Sequence, residues 1–102
     1  MKQELIERNY KILEHYGMLK QIPVWIEEMS ELTKELCKIQ RYYEKWEGDI
    51  PSSNWSNTQE EITDVQFVLD QMKKAFSYSL VYQEVDYEMK LIRTEKIIEE
   101  EK

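Results

Sequence analysis

The chain has 102 residues, 21 Asp and Glu against 14 Lys and Arg, and a formal net charge of −7. Two Gly and two Pro offer few of the turns that a sandwich or barrel needs, and the acidic balance argues against unaided binding to a nucleic-acid backbone. This length suits one domain with a small core, so residues 1–102 are read as a single unit.

Apolar residues at helical spacing predict four helices. Leu5, Ile6, Ile12, Leu13 and Tyr16 line a first helix over Gln3 to Tyr16, with Gly17 as its stop. A second starts near Pro23, a residue suited to a first turn, and runs to Glu44 or Lys45. A loop follows from Trp46 to Ser56, with Gly48, Pro51 and two of the three Trp, Trp46 and Trp55. The third helix begins after Asn57, which with Glu60 has the spacing of a capping box, and continues to Phe76. The fourth starts after Ser79 and carries Val81, Val85, Met89 and Ile92 on one face.

The longest apolar runs resemble Ile22-Pro23-Val24-Trp25-Ile26, far too short to cross a membrane. The opening Met1-Lys2-Gln3-Glu4 has no apolar signal region, and the lone Cys37 has no partner for an internal disulfide. A cytoplasmic location is the expectation. Cys37 is read as a small hydrophobe at the core edge, His15 as a surface or partly buried residue, and Trp25 as core packing.

With 21 acidic residues, carboxylates three apart arise by chance, so spacing alone carries little. Their position around each helix says more. On the second helix Trp25, Met29, Leu32, Leu36, Ile39 and Tyr43 define the apolar arc. Glu28 falls at its edge, and Glu31 and Glu35 continue that flank, whereas Glu27, Lys34, Lys38 and Arg41 take the solvent side. On the third helix Val65, Val68, Leu69, Met72 and Phe76 form the core stripe; Glu61 lies within it and Asp64 at its border. Ionised carboxylates facing a core are costly unless paired or metal-bound, and four together need cations. Lys73, Lys90 and Arg93 are available as partners. The alternatives are a buried salt-bridge network, a polar seam in a helical dimer, or a hard divalent ion such as Mg²⁺.

The segments Glu27-Glu28-Met29-Ser30-Glu31 and Glu60-Glu61-Ile62-Thr63-Asp64 resemble the EExxE…ExxD signature of MazG-type nucleoside triphosphate pyrophosphohydrolases, an all-α superfamily that includes dimeric dUTPases and dCTPases. Tyr16-Gly17 with Gln21, and Lys90-x-x-Arg93 on the last helix, are similar to its phage and Gram-positive branch. Twenty-nine residues separate Glu31 from Glu61, more than is usual there, and the tryptophan-bearing loop accounts for the difference.

The resemblance implies a four-helix MazG-like bundle that assembles as a homodimer or dimer of dimers. It implies Glu28, Glu31, Glu61 and Asp64 as ligands of Mg²⁺, or of Mn²⁺ in its place, and Lys90 and Arg93 as contacts to substrate phosphates. The implied reaction is hydrolysis of a (deoxy)nucleoside triphosphate to the monophosphate and pyrophosphate, with Glu35 or Glu27 orienting the water. Trp46 and Trp55 are candidates for stacking on the base, and the exposed apolar residues Phe67 and Tyr42 are expected in a subunit interface. The competing reading is a nucleotide-binding or helical dimerisation module on the same fold, without turnover.

Overall fold

A glycine sets the first corner. The helix α1 (Gln3–Tyr16) ends where Gly17 adopts φ +82° and its N–H bonds the Leu13 carbonyl at 2.7 Å. A Cβ at Gly17 would meet nothing within 4 Å, so the requirement for glycine is conformational rather than steric. The Gly17 carbonyl accepts the Gln21 N–H at 3.2 Å, so α2 (Met18–Trp46) starts at once, five residues before the position expected from Pro23. Pro23 therefore lies inside α2 and leaves the Leu19 carbonyl without its helical donor. Leu19 is 83% exposed, so water can take that place.

The computed structural model describes residues 1–46 and 50–102, and among them there are four helices and no strand. The helix α3 (Ser52–Ala75) also begins earlier than the capping-box pattern suggests. The Pro51 carbonyl accepts the N–H groups of Asn54 and Trp55. With no further Pro or Gly behind it, nothing delays the helix to Asn57. Ser79 caps α4 (Leu80–Glu101) by accepting the Tyr82 N–H at 3.3 Å, as expected.

Three helices pack together. Gln21 meets Gln71, Glu28 approaches Asp64, and Lys38 and Tyr42 share a cleft with Asn54, so α2 and α3 run antiparallel, and α1 packs on both. The apolar core is small: Leu13, Trp25 and Val68, with Ile22, Met72 and Ala75 against them. A polar network runs through it. Gln71 has no exposed surface. Its Oε1 accepts from Trp25 Nε1 at 2.8 Å and Gln21 Nε2 at 3.1 Å, and its Nε2 donates to Asn9 Oδ1 at 2.8 Å. Asn9 Nδ2 donates in turn to the Phe67 carbonyl at 2.8 Å.

The helix α4 stands apart. Among the described residues it packs alongside none of the other helices and buries no side chain. Leu80, Val81, Val85, Tyr87, Met89, Leu91, Ile92 and Ile98 are each at least half exposed. The four helices thus do not close into a bundle within one chain. The chain exposes 8630 Å², where a compact monomer of 12.5 kDa would expose about 6,200 Å². Its radius of gyration of 17.3 Å likewise exceeds the value of about 13 Å for a compact domain of this length. No helix is long and apolar enough to cross a membrane.

Replacing Gln71 strands three buried partners at once. Gln71→Ala is expected to lower unfolding free energy by about 2–4 kcal/mol. Urea denaturation at fixed protein concentration would measure it, and a change below about 0.5 kcal/mol would mean the network carries no stability.

Candidate functional site

The antiparallel pairing of α2 and α3 brings acidic residues from both helices to one place. One carboxylate oxygen from each of Glu28, Glu61 and Asp64 lies within 4.8 Å of the other two. Glu28 and Glu61 are half-buried and Asp64 is exposed. One Glu61 oxygen, Oε2, is buried without a hydrogen-bond partner, as is Glu35 Oε2. Burial raises the Glu28 carboxyl above its ordinary pKa, and the charges of Asp64 and Glu61, then Glu27 and Glu31, push it further. Burial also raises Glu61, followed by the charges of Asp64, Glu31, Glu35 and Glu60. Each shift has the sign of an anion gathered with other anions and short of water.

The other predicted ligands and catalytic groups border this cluster. Glu31 is half-buried and pairs with Lys34 at 3.5 Å, an exposed contact worth little, and its charge is felt at both Glu28 and Glu61. Glu35 has a side chain only 12% exposed, gives Oε1 to Lys38 at 3.1 Å, and keeps Oε2 free. Glu27 is exposed on the solvent side of α2, consistent with its place on the helical wheel. The five-carboxylate neighbourhood offers hard oxygen donors with two unsatisfied buried oxygens among them, a donor set suited to a divalent cation such as Mg²⁺ or Mn²⁺.

The substrate-side candidates are not gathered within one chain. Lys90 and Arg93 are exposed on α4, which packs on none of the helices that carry the cluster. Trp55 is not in a loop. It occupies the first turns of α3, 56% exposed, and nine residues ahead of Asp64 puts it about half a turn round the helix. Trp46 closes α2, and its side chain lies outside the described residues. Cys37 is exposed rather than at the core edge, because its flank of α2 has no helix against it. Trp25 is buried as expected, at 3% exposure.

Sequence reasoning missed the polar wall beside the cluster. A cleft of about 270 Å³ is lined by Gln21, Val24, Glu28, Asp64, Phe67, Val68 and Gln71, so the Gln71 network that ties the helices together also forms one side of it. The signal was present: Gln71 follows Asp64 by seven residues, which returns it to nearly the same angle on the helix, beside Val68 and Ala75.

Comparison of the chain with protein-family models, with characterised proteins and with solved structures finds no match.

The raised carboxyls predict a distinctive pH response without metal. A carboxyl whose folded pKa is raised binds its proton more tightly in the folded state. The folded protein therefore gains stability as pH falls through the raised folded pKa values, and the repulsion is greatest above them. In EDTA the melting temperature is expected to rise as pH is lowered from neutral toward the ordinary glutamate range. Glu61→Gln should flatten that slope and raise the neutral-pH value, whereas adding Mg²⁺ or Mn²⁺ at pH 7 should raise the melting temperature of the wild type only. A wild type that loses stability over that range would show the carboxylates to be favourably paired instead.

Proposed function

We propose that this protein is a Mg²⁺-dependent nucleoside triphosphate pyrophosphohydrolase, acting in the clean-up of nucleotide pools. The observation that carries the reading is the convergence of Glu28, Glu61 and Asp64 within 4.8 Å, beside an orphaned Glu61 oxygen and at the edge of a cleft. The resemblance of those segments to the MazG-type signature gives the reaction its class.

In this reading Glu28, Glu61 and Asp64 hold the cation, and Glu31 joins them by giving up its weak pair with Lys34. Bound Mg²⁺ supplies charge neutralisation at the phosphates and acidifies the attacking water. Glu35 is better suited than Glu27 to orient that water, because its Oε2 is buried without a partner and its charge acts on Glu61, whereas Glu27 faces solvent. Water adds across the anhydride between the α and β phosphates, releasing the monophosphate and pyrophosphate. The cleft that runs from Glu28 and Asp64 past Val24, Phe67 and Val68 receives the nucleoside.

The proposal includes a homodimer, alone or paired into a dimer of dimers. Support comes from the roughly 2,400 Å² of surface beyond that of a compact chain, against about 800 Å² per partner in a standard interface. It also comes from the two apolar stripes of α4, Val81-Val85-Met89-Ile92 and Leu80-Tyr87-Leu91-Ile98, which call for a neighbour on each side. An apolar groove between α1 and α3, floored by Leu5, Ile6, Ile12, Ile62 and Phe67, is open to such a neighbour. Phe67 also lines the site cleft, so a partner's α4 seated in the groove would carry its Lys90 and Arg93 toward the acidic cluster.

Two measurements test this. Pyrophosphate release from a panel of ribo- and deoxynucleoside triphosphates should require Mg²⁺, stop in EDTA and fall about 100-fold or more in Glu61→Gln. Stabilisation by nucleotide without any release would favour a binding module. Light scattering should give at least twice the 12.5 kDa of one chain, and Met89→Glu with Ile92→Glu should lower it toward one chain; a wild-type monomer would refute the dimer.

A further inference from the structure

The solvent side of α2 carries a second feature. Lys34, Lys38, Arg41 and Lys45 fall on one stripe at i, i+4, i+7 and i+11, a local concentration of positive charge in a chain of net charge −7. Read from sequence this is a solvated face. The tertiary structure sets the start of α3 against its end, and the two enclose a cleft of about 260 Å³ lined by Lys38, Arg41, Tyr42, Lys45 and Asn54. Among the described residues lining it there is no carboxylate.

Three properties make the cleft fit a phosphate chain. Arg41 offers the planar fork that binds phosphate oxygens in pairs, and Lys38 and Lys45 add compact charge. Tyr42 and Asn54, both half-buried, supply a hydroxyl and an amide between the cations. The first turn of α3 contains no acidic residue, so the positive end of a 24-residue helix adds to the field at this rim.

Its location relates it to the acidic cluster. Lys38 lies seven residues beyond Glu31 on α2, and Asn54 seven residues before Glu61 on α3. Along either helix the separation is about 10.5 Å. The Lys38–Glu35 pair at 3.1 Å joins the two regions along α2, so the cations follow the carboxylates on the same pair of helices.

We propose that this cleft is a pyrophosphate site, taking the distal phosphates of the substrate and the pyrophosphate released from it. Pyrophosphate is distinguished from a single phosphate by its length and charge, which engage Arg41 and Lys45 together with Lys38. This inference rests on the pyrophosphohydrolase reading for its place in a reaction, but pyrophosphate binding itself can be measured without turnover.

Isothermal titration of the full-length protein with pyrophosphate in EDTA tests it, since no metal is then present to recruit the anion to the carboxylates. The wild type should bind pyrophosphate more tightly than orthophosphate. Arg41→Gln with Lys45→Gln should weaken binding at least about tenfold, and Arg41→Lys with Lys45→Arg, which keeps both charges, should retain most of it. Glu61→Gln should bind no more weakly than the wild type. Absence of metal-free pyrophosphate binding in the wild type, or equal binding by the double glutamine variant, would overturn the proposal. Loss of binding that the charge-retaining variant fails to rescue would overturn the charge-based assignment. Binding with no nucleotide hydrolysis would uphold the site while refuting the enzyme reading.

Discussion

Everything in the three-helix unit turns on a carboxamide that cannot be left unpaired. Gln71 is wholly buried, and its two polar atoms bond α1 through Asn9 and α2 through Gln21 and Trp25. Each bond is directional, and each partner would lose its own hydrogen bond if a helix slid or rotated. The apolar core of Leu13, Trp25 and Val68 is too small to specify a register by shape alone, because hydrophobic contact is non-directional. The network supplies that register.

Once α2 and α3 are held in that register, the acidic residues have no choice of neighbours. Glu28 and Asp64 meet beside the network, and Glu61 follows one turn on. Burial and mutual repulsion raise Glu28 and Glu61, so the fold holds an arrangement that opposes its own stability in the absence of a cation. That conflict is the physical basis of the cation-binding reading proposed above. The same antiparallel register sets the cations of α2 against the start of α3, two helical turns further along. Carboxylates and cations thus follow one another along the same pair of helices, because both are long enough to carry them.

The fourth helix follows a different logic. It is capped correctly by Ser79 and forms over the expected span, yet it finds no partner within the chain. A helix with two apolar stripes facing water loses the burial that would hold it in place. The excess of exposed surface and the open groove between α1 and α3 are two sides of the same deficit, which is why the proposed function includes a second copy.

Much of this was legible in the sequence. The all-helical class, the span of α1 and the half-buried placement of Glu28 and Glu61 with Asp64 at the border follow from periodicity, because a 3.6-residue repeat fixes which side chains share a face; the cap of α4 follows from Ser79. The starts of α2 and α3 were not legible, since a proline inside a helix and an unused capping box depend on which backbone donors find acceptors. Gln71 was hidden for a related reason: a helical wheel assigns an angle to a glutamine but not the partners that make its burial favourable. Local sequence determined the helices and the faces that each presents. Only tertiary structure decided that three carboxylates from two helices converge, that Lys90 and Arg93 stand away from them in one chain, and that a row of surface cations closes into a cleft. Those outcomes depend on helix register and on distance between segments far apart in the chain, which no local periodicity encodes.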